Sequence, residues 1–559
     1  MKIVDFILTN KYSQWKKYKM NNYFCAYRGE ISYYNEKIDG EKILHQVLSR
    51  PGEFSDNFHS YKELLNSFYG TFALLIETPN IVLCAVDRTR SIPLFFSSFE
   101  NKLIIADDAN YIREHLNPPF CEENGAEFLV TGYVTGNETL FDGIFQVQAG
   151  EYLIFDKTSG NFSTHFYHHY WHGNFFTDSE EDLLNRLDDV FVHVFERLVA
   201  STKGYQIVVP LSGGLDSRII VAMLKRLGVN DVICFSYGKK GNIEGAISRK
   251  VAESLGYTWY FVEYTGKRWY DCYHSDEMRA YERYAGNLTS LPHIQDFLAV
   301  KILKEEGKIP DNAVFVPGHS GDMLAGSWIP NDIENLPHTA DYCLTHCLQK
   351  HYSLWRWNDE KKERLFQERI QKSIGDISIN DTNSLANGIE YFNFKERQAK
   401  FILNSVRVYE FFGYDWRLPL WDAELIDFFL RVPLSLRLDQ KIYNKYSIKK
   451  IFINKISPLS RIPCSTINEI HPSFPIMKIF SYLCNIFFNP DIGIMCGFKN
   501  PIIERFKCYL RGTSIFNKKN LEIQSIKDTL CIQKSRFPSC NGILTLLFLE
   551  NLFSYKNRE

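Results

Sequence analysis

Residues 208–227, VVPLSGGLDSRIIVAMLKRL, constrain the fold more than any other stretch. Ile207, Val208 and Val209 are a β-branched run suited to a short buried strand. The loop Ser212-Gly213-Gly214-Leu215-Asp216-Ser217 follows, and Ile219, Ile220, Met223, Leu224 and Leu227 then recur at helical spacing. Two glycines let the backbone approach a ligand with no Cβ in the way. Free N–H groups at the helix start and two serine hydroxyls favour an anion, above all a phosphate. Asp216 would repel that anion unless a cation such as Mg2+ lies between them. The loop therefore points to nucleotide phosphate plus metal. A bare SGG reads more simply as a capped helix start, but the full six-residue loop after an apolar strand is more specific. No Gly-Lys-Ser/Thr follows, so it is not a Walker loop.

The flanking pattern extends this unit. Residues 180–200 carry an amphipathic helical stripe, 232–236 and 259–263 read as strands, and 244–255 as a helix. Alternating strands and helices predict a doubly wound parallel sheet with ligands at the carboxyl ends of its strands. Ser212 and Ser236 fall at such ends. A further unit starts at Ala313: residues 314–316 form a strand, and Pro317-Gly318-His319-Ser320-Gly321-Asp322 a second glycine loop. Asp216 and Asp322, on two loops at one sheet edge, are the candidate Mg2+ ligands, because Mg2+ takes carboxylates, phosphate oxygens and water. His319 reads as a phosphate donor or a plain loop residue.

Residues 1–165 are β-rich. FALLIE (72–77) and IVLCAV (81–86) flank the turn Thr78-Pro79-Asn80, and 92–97, 102–106 and 150–156 add further strands. Antiparallel sheet layers are the simplest architecture. Residues 385–450 read as helical. Residues 455–559 show no chemistry, with 474–488 a core helix, and they close the pocket or form an interface.

A net charge of −2 gives no broad electrostatic case for nucleic acid or membrane. Thirteen cysteines without paired CxxC sets fit reduced thiols of a cytoplasmic protein. Cys343 and Cys347 read as buried thiols. Asp5 interrupts the N-terminal stretch, against a signal peptide. His165, His168, His169 and His172 lack carboxylate or cysteine partners at ligand spacing and are not read as a metal site.

On these motifs the chain resembles the asparagine synthetase B family. SGGLDS resembles the pyrophosphate loop of the ATP pyrophosphatase group, which cleaves ATP to AMP and pyrophosphate. Gly70-Thr71-Phe72-Ala73, Asp87-Arg88, Pro93-Leu94-Phe95-Phe96, Ala106-Asp107-Asp108 and residues 136–144 (GNETLFDGI) resemble a class II glutamine amidotransferase domain, Ntn-hydrolase-like in fold. Gly318, Asp322 and Gly326 match the family's Ser-Gly-Glu-Gly-Ser-Asp-Glu region, while His319 and Met323 depart from it. Arg407 and residues 413–422 (GYDWRLPLWD) resemble the family's Arg…Gly-Val-Glu-Ala-Arg-Val-Pro-Phe-Leu-Asp.

The resemblance implies three parts: a degenerate amidotransferase-like domain (1–170), an ATP-binding α/β domain (180–455) and a helical extension (456–559). It implies ATP and pyrophosphate on Leu211, Ser212, Gly213, Gly214, Asp216, Ser217, Phe235, Ser236 and Gly318. Lys445, with Lys441 as runner-up, would reach the phosphates and the acyl-adenylate. Asp415 would orient the nucleophile or take its proton, beside Arg417. The implied reaction is AMP-forming amide ligation like that of asparagine synthase (glutamine-hydrolysing), with ATP and Mg2+. One departure is decisive for nitrogen: the family's glutaminases expose an N-terminal cysteine, whereas position 2 is Lys2 and the first cysteine is Cys25. No glutaminase activity is expected. Free ammonia, a substrate amine or a separate glutaminase then supplies nitrogen; relatives lacking that cysteine, such as β-lactam synthetase and lasso peptide cyclases, close an amide within one substrate. Amidation of a sugar acid, an RNA-modifying sulfur or nitrogen transfer, a silent scaffold and a homodimer stay open.

Overall fold

The computed structural model of the chain describes residues 4–9, 14–33, 36–48, 58–99, 102–355, 357–453, 456, 459–460, 462–463 and 540–554. Its first half builds two sheets from β1 (Val4–Ile7), β2 (Lys16–Met20), β3 (Tyr23–Tyr33), β4 (Glu36–Ile38), β5 (Phe68–Glu77), β6 (Ile81–Val86), β7 (Phe95–Phe99), β8 (Lys102–Ala106), β9 (Phe145–Gln146), β10 (Glu151–Asp156) and β11 (Phe162–Phe166). One sheet runs β11-β10-β6-β5-β3-β2 with β4 on β3, and the other β1-β8-β7-β9.

Period-two patterning explains the layering. Phe72, Leu74 and Ile76 of β5 face helices α1 (Gly40–Leu48) and α2 (Phe58–Asn66), burying Ile43, Leu44, Leu64 and Leu65. Ala73 and Leu75 face the other way and share a core with Phe96, Leu103 and Ile105 of the second sheet. Beyond that sheet, Phe95, Ile104 and Ala106 pack on α3 (Ala109–Leu116) and α4 (Glu122–Thr131). The result is four layers, helix on sheet on sheet on helix.

Two expectations are corrected. The pairing is antiparallel except that β1 runs parallel to β8, with Val4 opposite Leu103. No hairpin joins these two strands, so nothing local fixes their relative sense. The strand expected from residue 92 begins at Phe95, because Pro93 has no N–H to give a ladder.

The second half centres on a parallel sheet of β12 (Gln206–Pro210), β13 (Val232–Gly238), β14 (Thr258–Glu263), β15 (Ala313–Phe315) and β16 (Asp415–Trp416), in the order β14-β13-β12-β15-β16. The chain leaves β12 toward β13 and later returns to β15 on its other side. That reversal opens a crevice at the carboxyl ends. β16 lies within the segment expected to be helical throughout; pairing with Val314 and Phe315 overrides local propensity there.

Around this sheet, α5 (Glu180–Ser201) buries Leu187, Phe191, Val194 and Leu198, and its N-cap Ser179 accepts from Asp182 N at 3.2 Å. Helices α6 (Leu215–Arg226), α7 (Ile243–Leu255), α8 (Asp276–Gly286), α9 (Phe297–Glu305), α10 (Arg407–Phe411) and α11 (Lys441–Lys445) follow. The described end of the C-terminal segment, α12 (Cys540–Ser554), packs on α4: Thr545 Oγ1 donates to Leu129 O at 3.1 Å, and Phe548 lies 5.4 Å from Phe128. The expected helix at 474–488 lies outside the described residues. Among the described residues no helix is long and apolar enough to cross a membrane.

Candidate active site

A cavity of about 610 Å3 opens at the carboxyl ends of β12, β13 and β15. Its floor is the loop between β12 and α6. Leu211 N donates to Phe235 O at 2.8 Å, tying the loop to β13. Ser212 Oγ accepts from Gly214 N, Ser217 Oγ accepts from Ser212 N, and the two hydroxyls are 3.1 Å apart. The serines thus brace the loop around the first turn of α6, which borders the cavity. The loop after β15 closes over it at Gly318, where a Cβ would sit 2.6 Å from Ser217 N. Only glycine permits that approach.

Asp216 and Asp322 meet here. Asp216 accepts from Tyr443 OH at 2.7 Å and from Asp322 N at 3.2 Å. Asp322 accepts from Ser327 Oγ at 3.1 Å. Burial, then the neighbouring Asp322, push the Asp216 carboxyl up to about 7. Two close carboxylates, one strongly disfavoured as an anion, make a donor set that a divalent cation stabilises. Oxygen-only ligands suit Mg2+, and phosphate oxygens and water complete its shell. Among the described residues no group of three or more His, Cys, Asp or Glu forms a metal cluster.

Of the residues singled out in the sequence, Leu211, Ser212, Gly214, Asp216, Ser217, Phe235, Ser236, Gly318 and Asp322 line the cavity. Gly213 sits behind it, its carbonyl accepting from Arg218 Nη2 at 3.4 Å. Ser236 Oγ accepts from Ser248 Oγ at 3.0 Å.

Four expected residues, Lys445, its runner-up Lys441, Asp415 and Arg417, are not brought to the cavity. Lys445 Nζ donates to Glu180 Oε1 at 2.6 Å; Gln440 and Asn444, beside α11 and on it, reach the wall instead. Lys441 pairs with Glu180 as well, at 3.1 Å. Asp415 is exposed on β16. Arg417 donates to Ser201 Oγ at 3.3 Å and pairs with Glu30 at 3.1 Å, joining the two halves of the chain.

Beside His319, which the sequence singled out, the wall carries residues that spacing did not reveal. Asp296, just before α9, accepts from Tyr237 OH and, at 2.7 Å, from Tyr409 OH. Tyr237 stacks on Tyr264 and Tyr409 on Phe315. His319 Nε2 is 2.7 Å from Ser405 Oγ, and burial lowers its pKa, so the ring is neutral at pH 7. Glu244, in the first turn of α7, also lines the space. Asp296 looks like an ordinary helix start in sequence, and only the fold joins it to Tyr237 and Tyr409.

Residues 191–458 match the asparagine synthase family model. The match covers somewhat under half of the chain. The matched segment contains β12 to β16 and every residue named above as lining the cavity. No curated protein matches the chain. Glutamine phosphoribosylpyrophosphate amidotransferase from B. subtilis aligns at 14% identity over 44% of this chain and 48% of its own, with a TM-score of 0.18. The NH3-dependent NAD synthetase from Campylobacter jejuni aligns at 13% identity over 35% of this chain and 95% of its own, with a TM-score of 0.20. The chain thus spans about half the length of the amidotransferase. Both scores fall below that of a shared overall fold, so the architecture of the matched segment rests on the sheet order given above.

Within the histidine cluster, His165 Nε2 is 2.9 Å from Ser163 Oγ and His169 Nδ1 is 2.9 Å from Tyr391 OH. His172 Nε2 is 3.1 Å from Arg437 Nη1 and 3.3 Å from Glu390 Oε2, and burial holds its pKa well below the usual imidazole range. Cys25 is buried in β3, and burial pushes its thiol up to about 12.

Proposed function

We propose that the chain is an ATP-dependent ligase that activates a carboxylate as an acyl-adenylate and joins it to ammonia or an amine. One arrangement carries this reading: a cavity of about 610 Å3 floored by SGGLDS, with Asp216 and Asp322 on facing loops. Residues 1–170 act as a degenerate amidotransferase-like domain, 180–455 as the ATP-binding domain and 456–559 as an extension.

The first-turn N–H groups of α6 and the Ser212 hydroxyl bind phosphate oxygens. Ser236 and the end of β13 hold the adenine. Mg2+, held by Asp216 and Asp322, would offset phosphate charge. A substrate carboxylate oxygen attacks the α-phosphorus, and the bond to pyrophosphate breaks. Lys445 reaches that pyrophosphate by leaving Glu180, so nucleotide binding competes with the ion pair. The nitrogen nucleophile then attacks the acyl carbon and AMP departs. Neutral His319, with its ring fixed by Ser405, takes the nucleophile's proton. It does so in place of Asp415, which lies outside the cavity.

The Cys25 thiol, buried and hard to ionise, supports an N-terminal half that does not hydrolyse glutamine. Free ammonia, a substrate amine or a separate glutaminase supplies nitrogen in the cytoplasm. Asparagine is one product of this chemistry; closing an amide within one substrate or amidating a sugar acid are others. The test is incubation with ATP, Mg2+, 15N-labelled ammonium and a panel of aspartate, short peptides and uronic acids. One acid should yield labelled amide and AMP in equal amounts. Release of ADP in place of AMP contradicts the mechanism.

A further inference from the structure

Arg218, in the second turn of α6, is 1% exposed. Its guanidinium reaches two separate parts of the chain. On one side Nη2 donates to Gly213 O, in the loop that floors the cavity, at 3.4 Å. On the other side Nη1 donates to Ile462 O and Nη2 to Pro463 O, each at 2.7 Å. The planar fork of arginine holds its donors at fixed angles, so one side chain bridges both places.

Both ends of this bridge are anchored. The peptide between Gly213 and Gly214 is held from two directions: its carbonyl accepts from Arg218, and its N–H donates to Ser212 Oγ at 3.1 Å. Ser212 and Gly214 line the cavity. Arg218 therefore holds, from behind, a peptide whose front meets the nucleotide space. At the other end the chain leaves the helical segment Tyr446–Ile453 through a run of turn bonds. Ile456 N donates to Ile451 O at 2.8 Å, Leu459 N to Ile456 O at 3.0 Å and Ile462 N to Leu459 O at 3.2 Å. Leu459 is buried in the core of the central sheet, and the Arg218 guanidinium lies 5.7 Å from the centre of the Phe452 ring. Hydrogen bonds from a charged donor are stronger than neutral ones, so a shift of residues 462–463 is felt at the glycine peptide.

We propose, on the nucleotide reading of the loop given above, that Arg218 is a positioning residue: it couples the phosphate loop to residues 462–463, so that nucleotide binding and the seating of this segment reinforce each other. A phosphate against Ser212 and Gly214 favours one orientation of the glycine peptide, the one whose carbonyl meets Arg218. In that position Arg218 also holds the carbonyls of Ile462 and Pro463. Coupling between two sites is reciprocal, so the seated segment strengthens nucleotide binding by the factor with which nucleotide strengthens the seat. Of the described residues after 455, none lines the cavity, and Arg218 gives them a part in the reaction from outside it.

The test follows hydrogen exchange in the full chain with Mg2+ and α,β-methylene-ATP, an analogue that does not release pyrophosphate. Exchange is read at the amides of 212–217 and, away from the cavity, at those of Leu459 and Ile462. In the natural chain the analogue should slow both sets, by about fivefold or more at Leu459 and Ile462. Arg218→Lys keeps the charge and loses the fork. With saturating analogue the variant should still protect 212–217, while Leu459 and Ile462 no longer respond, and its affinity for the analogue should fall by about the same fivefold or more. Protection of 212–217 alone in the natural chain overturns the coupling and leaves the nucleotide reading standing. Protection at neither place removes the nucleotide reading and the coupling with it. A response at Leu459 and Ile462 that survives Arg218→Lys also overturns the coupling. Should Arg218→Lys not fold, the natural chain decides: protection at both places supports the proposal, and protection at 212–217 alone overturns it.

Discussion

Gly318→Ala adds one methyl group where the two loops of the active site touch. Its Cβ would lie 2.6 Å from Ser217 N, 3.0 Å from Ser217 Cα and 3.1 Å from the Asp216 carbonyl carbon. Ordinary contact starts at 3.4 Å, so the nearest atom is about 0.8 Å too close. All three atoms are backbone, and no side chain can rotate to make room. Gly318 does not have a positive φ, so alanine is allowed conformationally and only the contact acts. The loops must separate by most of that distance. Displacing aligned groups by ~1 Å costs about 100-fold in rate, and overpacking costs ~1–3 kcal/mol of stability. Pyrophosphate exchange should therefore fall between about tenfold and 100-fold, with a lower Tm. Gly173→Ala is the control, because a Cβ there meets nothing within 4 Å; it should shift stability by less than ~0.5 kcal/mol. Exchange at the natural rate in Gly318→Ala would refute the loop contact as an element of the site.

Other substitutions probe separate claims. Asp216→Asn removes a carboxylate disfavoured by burial and by Asp322; exchange should be lost while Tm at pH 8 holds or rises, and a large drop in Tm would contradict the charge argument. Glu282, buried and held by Asn551 of α12, has its carboxyl raised from 4.5 to about 7. The folded state then binds that proton more tightly than the unfolded chain. Stability should be greatest below pH 4.5 as far as this group is concerned, and fall as pH rises toward 7, by ~3 kcal/mol in all. Glu282→Gln should flatten that part of a denaturant-midpoint profile between pH 5 and 7.5, and an unchanged profile counts against the reading. Cys25→Ser should leave ammonium-dependent amide formation unaltered within about twofold; loss of a glutamine-dependent reaction in this variant would return the nucleophile role to Cys25.

Much of the central sheet was legible because its signals are local. The β-branched run, the glycine loop and the helical stripe of residues 208–227 sit within one contiguous segment, and each specifies the same βα unit. The strands of the first half were legible through alternation, though the sense of β1 was not, since it is set by pairing with residues about a hundred positions away. That residues of the loops at strand ends line one cavity was legible for the same local reason. Lys445 shows where that reasoning stops. Its register suggests a phosphate ligand, but its partner Glu180 lies 265 residues earlier, at the start of α5. Asp415 reads as part of a helical segment and becomes an edge strand because Val314 and Phe315 offer a ladder. Asp296, Tyr237 and Tyr409 belong to three separate elements, and no spacing rule links them.

The central claim is adenylation, and ATP–pyrophosphate exchange tests it most directly. The full chain is incubated with ATP, Mg2+ and labelled pyrophosphate, with aspartate, short peptides or uronic acids added singly. Label should enter ATP only when one particular carboxylate is present, and Asp216→Asn should abolish it. Exchange with none of these acids, or exchange that persists in Asp216→Asn, contradicts an acyl-adenylate formed at this loop.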